Sequence, residues 1–204
     1  MGTFSYSRGL EGAVHAGWVT TEAAARDWIL GTMETSFAAL DGALFCRMIR
    51  ALQDHDLAAF QAADAWLAAG RESLELRLED RRMAEALLRL LSDLGVPLAH
   101  ESTGQVRSYP AAFAIAVHHW AIAADAALTG LMWSVVEGQV AAAIRLVPLG
   151  HTAGQRILIA AVPVIARAAA HASTLTDDEI GNAGPALAMV SAWHETQYSR
   201  LFRS

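Results

Sequence analysis

RESLELRLEDRRMAEALLRLLSDL, residues 71–94, reads as one long charged amphipathic helix. Met83, Leu87, Leu90, Leu91 and Leu94 recur at three- and four-residue intervals and are expected to face inward, while Glu85 precedes Arg89 by the four residues that add an ion pair along a helix face. Gly95 and Pro97 stop it. The same alanine- and leucine-rich helical period extends over most of the chain, and runs of alternating β-branched and polar residues are missing. The sequence therefore predicts an all-α fold, a single multi-helix bundle over residues 1–204 with a buried central helix and a docking C-terminal tail.

Toward the N-terminus, a short helix is expected at Leu10–Ala16, a turn at Gly17, and a helix capped by Thr21 that runs to about Phe37, with Asp41 and Asp56 starting the next two. Toward the C-terminus, residues 96–108 turn polar and predict a long flexible loop, after which Pro110 suits a first helical turn. A helix over Ala124–Val147 ends at Pro148, and Thr152 with Gln155 forms a capping-box signature for the next, which Pro163 should kink. Ile157, Leu158, Ile159, Val162, Val164 and Ile165 point all round that axis, which marks it as the enclosed central helix. Thr176 with Glu179 repeats the capping signature, and Pro185 opens the final helix.

With 54% hydrophobic residues and a mean hydropathy of +0.29, 204 residues can build one core without disulfides or structural metal. A net charge of −6, with all 15 basic residues arginine and none in a run, argues against nucleic acid as a partner. Cys46 is the only cysteine, so there is no disulfide framework, and small core filler is its expected role. The N-terminus carries no secretory pattern, and the apolar run Ile157–Ala166 is short of the roughly 20 residues that span a bilayer. No membrane partner and a cytoplasmic location are expected.

Nothing in the chain matches a phosphate-binding glycine loop, a dinucleotide fingerprint or HExxH. His118 and His119 are adjacent, so on a helix they splay about 100° apart and chelate poorly together, although His119 remains a metal candidate across a dimer. His194, beside Glu195, is the other metal or proton-handling candidate, with a dipole-complementing helix end as its plainer role. An enzyme pocket around His118, His119 and Trp120 ranks last, because no acid/base or nucleophile constellation accompanies it. Gly130, Ser134, Gly138 and Ala142 stand four apart and allow close helix approach, either within the monomer or as a self-complementary dimer seam. Glu137, Ala141 and Arg145 border that stripe. The tail Tyr198, Ser199, Arg200, Leu201, Phe202, Arg203, Ser204 alternates bulk with arginine, which suits docking on a partner or folding back on the chain's own core.

Several segments, in order, resemble one family: FSYSRGLE (4–11), GWV (17–19), RES (71–73), YPAAFA (109–114), EGQVAAAIRLVPLGHTAGQ (137–155) and HETQYSRLFRS (194–204). Together they are similar to urease accessory protein F over nearly the whole chain. The resemblance implies a cytoplasmic, all-α homodimer without enzymatic activity, a chaperone in urease maturation. Such a protein joins accessory protein D/H and the GTPase accessory protein G on apo-urease, and nickel is handled transiently by the complex rather than held as a cofactor. It implies that residues Tyr198 to Ser204 face the D/H protein, and that Glu11, Arg145, Pro148, Leu149, Gly150 and Arg71 face the GTPase. An alternative within the resemblance is a GTPase regulator that supplies Arg145 or Arg71 in trans to the nucleotide site. Arg145 stands where relatives often have lysine, His151 where glutamine is usual, and Ser73 where threonine is common. Relatives carry a further segment before FSYS, within which Met1 falls, so an upstream stretch is expected to be missing.

Overall fold

A computed structural model describes residues 5–203; the parts of the above readings placed on Met1, Phe4 and Ser204 lie outside the described residues. In chain order the helices are α1 Leu10–His15, α2 Glu22–Thr32, a π-helical segment Met33–Gly42, α3 Ala43–Gln53, α4 Leu57–Ala69, α5 Leu74–Asp93, α6 Pro97–Glu101, α7 Tyr109–His119, α8 Ala124–Leu146, α9 His151–Thr174 and α10 Pro185–His194. Among the described residues there is no strand, so the fold is all-α.

The expected break at Asp41 does not occur. Residues 22–53 form one uninterrupted helical rod whose middle widens to i→i+5 bonding. Widening leaves carbonyls in need of donors, and these are supplied locally: the Thr32 hydroxyl donates to Trp28 and Ile29 (2.9 and 3.1 Å) and the Thr35 hydroxyl to Gly31 (2.8 Å). The link between α9 and α10 supplies two more, Ala183 N–H to the Thr35 carbonyl and Gly181 N–H to that of Ala39. Met33, Leu40, Leu44, Phe45 and Met48 on this rod are almost wholly buried, and it packs against α4, α7 and α9. The central helix is therefore this rod and not α9. In α9, Ile157, Ala161, Val164, Ile165, Ala168 and Ala172 form a one-sided stripe, whereas Ile159 is 71% exposed and Val162 57%. Branched residues on both faces imitated an enclosed helix.

Asp41 instead sits at the centre of a buried charge network. Arg71, 6% exposed, donates to both Asp41 carboxylate oxygens (2.9 and 2.5 Å) and through Nε to Asp80 (2.7 Å). Burial alone would depress the Arg71 pKa, but the two carboxylates outweigh it and hold the guanidinium well above its ordinary value. Nearby, buried Asp64 on α4 accepts from the Arg107 N–H, the Ser108 N–H and the Ser108 hydroxyl, which ties down the chain leading into α7.

Several local readings change. α5 is capped by Ser73 and buries Met83 and Leu91 as expected, but Leu87 is half-buried, Leu90 and Leu94 are exposed, and Leu76, Ala84 and Leu88 are buried in their place. α5 packs in turn on α10, α7 and α6, and its buried face rotates with the partner it meets. Glu85 pairs with Arg81 (3.0 Å), not Arg89. The expected loop 96–108 contains α6, with Pro97 in its first turn. Thr152 lies inside α9, which starts after Gly150 without a side-chain cap. Glu179 does accept from the Thr176 N–H and hydroxyl, but the pair closes a turn, not a helix. Asp56 and Pro185 begin helices and Pro110 stands in the first turn of α7 as expected, with Ser108 as an added cap there, and α9 continues through Pro163. α8 and α9 each have the length and apolarity to cross a bilayer, more than the ten-residue run suggested, and their apolar faces pack on each other and on the π segment.

Candidate functional site

The first and last helices of the chain cross closely. Gly9, at φ +80°, takes the left-handed turn that starts α1, and a Cβ at Gly12 would lie 2.6 Å from the Val190 carbonyl oxygen of α10. The contact brings Glu11 of α1 against His194 at the end of α10. Gln139 of α8 fixes the approach by donating to the Ser7 carbonyl (2.7 Å), and the Ser7 hydroxyl accepts the Glu11 N–H (3.2 Å).

His194 is completely buried between two carboxylates, with Glu11 Oε2 3.1 Å from Nε2 and Glu75 Oε2 2.6 Å from Nδ1. Glu195 reaches the other way, accepting the Leu74 N–H at 2.8 Å and thereby satisfying an open donor of the first turn of α5. The Ser73 and Ser191 hydroxyls meet at 2.5 Å alongside. α1, α5 and α10 are thus joined by hydrogen bonds to ionisable groups, each worth about 1.5–3 kcal/mol when buried.

The tail folds onto this junction. Glu11 accepts the Leu201 N–H at Oε1 (2.6 Å) and the Phe202 N–H at Oε2 (2.8 Å), so one carboxylate organises both the tail and His194. Arg200 pairs with Glu75 and also donates to the Gln197 and Glu195 carbonyls, and the Arg203 N–H donates to the Ser5 carbonyl. The Phe202 ring is 4% exposed, with the Arg145 guanidinium carbon 4.7 Å from its centroid, a cation–π geometry. Tyr198 and Leu201 point outward. Of the two readings of the tail left open by the sequence, the fold-back on its own chain is the arrangement present.

Glu11, Arg145 and the tail therefore form one cluster, although the sequence divided them between two partner surfaces. Pro148 and Gly150 lie exposed in the short α8–α9 link with Leu149 half-buried between them. Arg71 does not belong with them: enclosed by Asp41 and Asp80, its fork is fully used. Glu11 is likewise buried rather than on the surface. The small-residue stripe is not one seam, since Gly130 is exposed, Ser134 half-buried, and Gly138 and Ala142 buried. Steps of four residues drift by about 40° each, so the stripe winds from solvent into the core.

As for metal, both ring nitrogens of His194 face carboxylates and the ring is inaccessible. His119 is exposed against Trp120, and His118 stands edge-on to His55. Among the described residues no three His, Cys, Asp or Glu side chains gather to hold an ion. The sequence missed Glu75, Ser191 and Gln139; only the placing of Gln139 inside the long segment 137–155 offered any signal.

A match to the UreF family spans residues 19–162. The urease accessory protein UreF 2 of Brucella anthropi is 63% identical over the whole chain and 90% of its own length. The urease accessory proteins UreF of Alkalilimnicola ehrlichii and Hahella chejuensis are 43% and 38% identical, again over the whole chain and 90% and 92% of theirs. With the family's span covering most of the bundle and full-length relatives on either side of 40% identity, the chain belongs to the UreF family.

Proposed function

We propose that this chain is a urease accessory protein that acts by binding other proteins, bridging accessory protein D/H and the GTPase accessory protein G on apo-urease in the cytoplasm. It works as a homodimer, without catalysis of its own, and nickel is cargo of the complex. The observation that carries the reading is the convergence of Glu11, Arg145 and the tail on one face, with Tyr198 and Leu201 presented outward from a backbone that Glu11 holds. Outward apolar anchors on a pre-ordered backbone lower the ordering cost of association. A single face then serves both partners, with the tail toward D/H and the Arg145 side, continuing into Pro148 to Gly150, toward the GTPase. The alternative of an arginine supplied in trans has less support: Arg71 is consumed by two aspartates and Arg145 lies over Phe202.

The test is capture of the D/H protein by the intact chain and by a chain lacking residues 198–204, with circular dichroism as the folding control. The expected result is loss of capture with helicity unchanged. Retained capture would overturn the reading.

A further inference from the structure

We infer that the Leu74–Arg81 face of α5 and the chain before α7 form a second docking site, beside the point where Arg200 meets Glu75 but lined by other side chains, for an acidic segment of a partner protein that also carries apolar side chains. The inference rests on the preceding reading only in taking the chain to act by binding proteins.

A cleft of about 330 Å³ opens between these two segments, and Leu74, Leu78, Arg77, Arg81, Val106 and Arg107 line it. Leu74 is 60% exposed and Leu78 36%, an apolar pair at the four-residue spacing that puts both on one face of α5. The arginines surround this pair. Arg77 and Arg107 are exposed, and neither guanidinium has a counter-ion among the described residues. Arg81 has only the exposed Glu85 at i+4, a pair weak enough to exchange for another carboxylate.

The acidic residues close at hand are already committed. Asp80 is buried against Arg71, and Glu75 is turned to His194 and Arg200. A chain of net charge −6 has thus gathered a positive rim, with Glu85 as its one paired carboxylate among the described residues, about an apolar floor. Charge complementarity selects the occupant: carboxylates for the planar forks, with leucine-sized side chains over Leu74 and Leu78. Nucleic acid is a poor match, because three guanidiniums around an apolar floor offer no basic stripe to follow a phosphate backbone.

The probe is a fluorescein-labelled peptide of glutamate and leucine, compared with its glutamine counterpart by anisotropy on the intact chain. The glutamate peptide is expected to bind, and the glutamine form to bind at least about tenfold more weakly. Arg77→Glu with Arg107→Glu should weaken binding by about tenfold or more, and Leu74→Ser with Leu78→Ser by about fivefold. Reversal of two distant arginines, Arg26→Glu with Arg50→Glu, should leave it unchanged. The inference is overturned if the glutamate peptide does not bind, if the cleft reversal has no effect, or if the distant reversal weakens binding equally. Tyr198→Ala with Leu201→Ala, which keeps Arg200 on Glu75, should bind the peptide normally, and Arg77→Glu with Arg107→Glu should still capture the D/H protein, so this result and that of the tail test are independent.

Discussion

At the scale of single residues, Glu11 has the most demanding position, accepting from two tail amides and facing an imidazole with one carboxylate. Phe202→Ala removes the ring beneath Arg145 and should free the tail without unfolding the bundle. The two amides that Glu11 accepts are expected to exchange at least about tenfold faster in hydrogen-exchange mass spectrometry, at constant helicity; unchanged protection would show that the ring does not hold the tail. Cys46 gives a second prediction. Burial pushes its thiol up from the ordinary value despite Arg47 and Arg50, so its ionisation is deferred in the folded chain. Alkylation of the native protein near pH 8.5 should lag a free thiol by about tenfold and catch up in urea. A thiol with a raised folded pKa stabilises fully below its unfolded value and loses that contribution as pH rises through the folded one, so Cys46→Ala should flatten the decline of the urea midpoint above about pH 8.5. Glu11, Arg145 and the tail were picked out by their motifs. Their mutual contact was not, because the partners lie 190 positions apart and spacing reports only neighbours along a helix.

At the scale of elements, close approach separates glycines that look alike in the sequence. A Cβ at Gly12 meets the backbone oxygen of Val190, which no rotamer change can move aside. Gly12→Ala should therefore cost about 1–3 kcal/mol and part α1 from α10, as read by the urea midpoint and by faster exchange of the tail amides. Gly130 has nothing within 4 Å, so Gly130→Ala should instead stabilise α8 by about 0.5–1 kcal/mol through backbone entropy and helix propensity. Destabilisation or loss of a dimer in that variant would restore the small-residue seam. Caps and prolines made the starts of α2, α4, α7 and α10 legible, whereas α5 starts at Leu74 behind Ser73 and not at Arg71. The π segment was not legible, since its local donors, Thr32 and Thr35, are residues that ordinary helices also carry, and the others, Gly181 and Ala183, lie far along the chain. Asp41 therefore looked like a cap although its real partner, Arg71, lay 30 residues on.

At the scale of the whole molecule, the Asp41–Arg71–Asp80 network joins the central rod to α5 from inside the bundle. Arg71→Met would leave Asp80 without a cation among the described residues and Asp41 with only Arg8 at 3.6 Å, and should cost about 3–5 kcal/mol by urea denaturation, whereas adding Asp41→Asn and Asp80→Asn should recover most of that loss. A drop that the two asparagines do not relieve would place the cost in lost packing. All-α class was legible because it depends on local period, while the central helix was misassigned because burial depends on what surrounds a face. The meeting of the Arg203 N–H with the Ser5 carbonyl has one more consequence, in time rather than space. Residues 5–11 leave the ribosome early and must wait for residues 194–203 before Glu11 has its acceptor role filled. An incomplete chain can bury its rod and its paired helices, yet offers no finished face, so on the proposed function only molecules whose synthesis has reached the tail can join a partner.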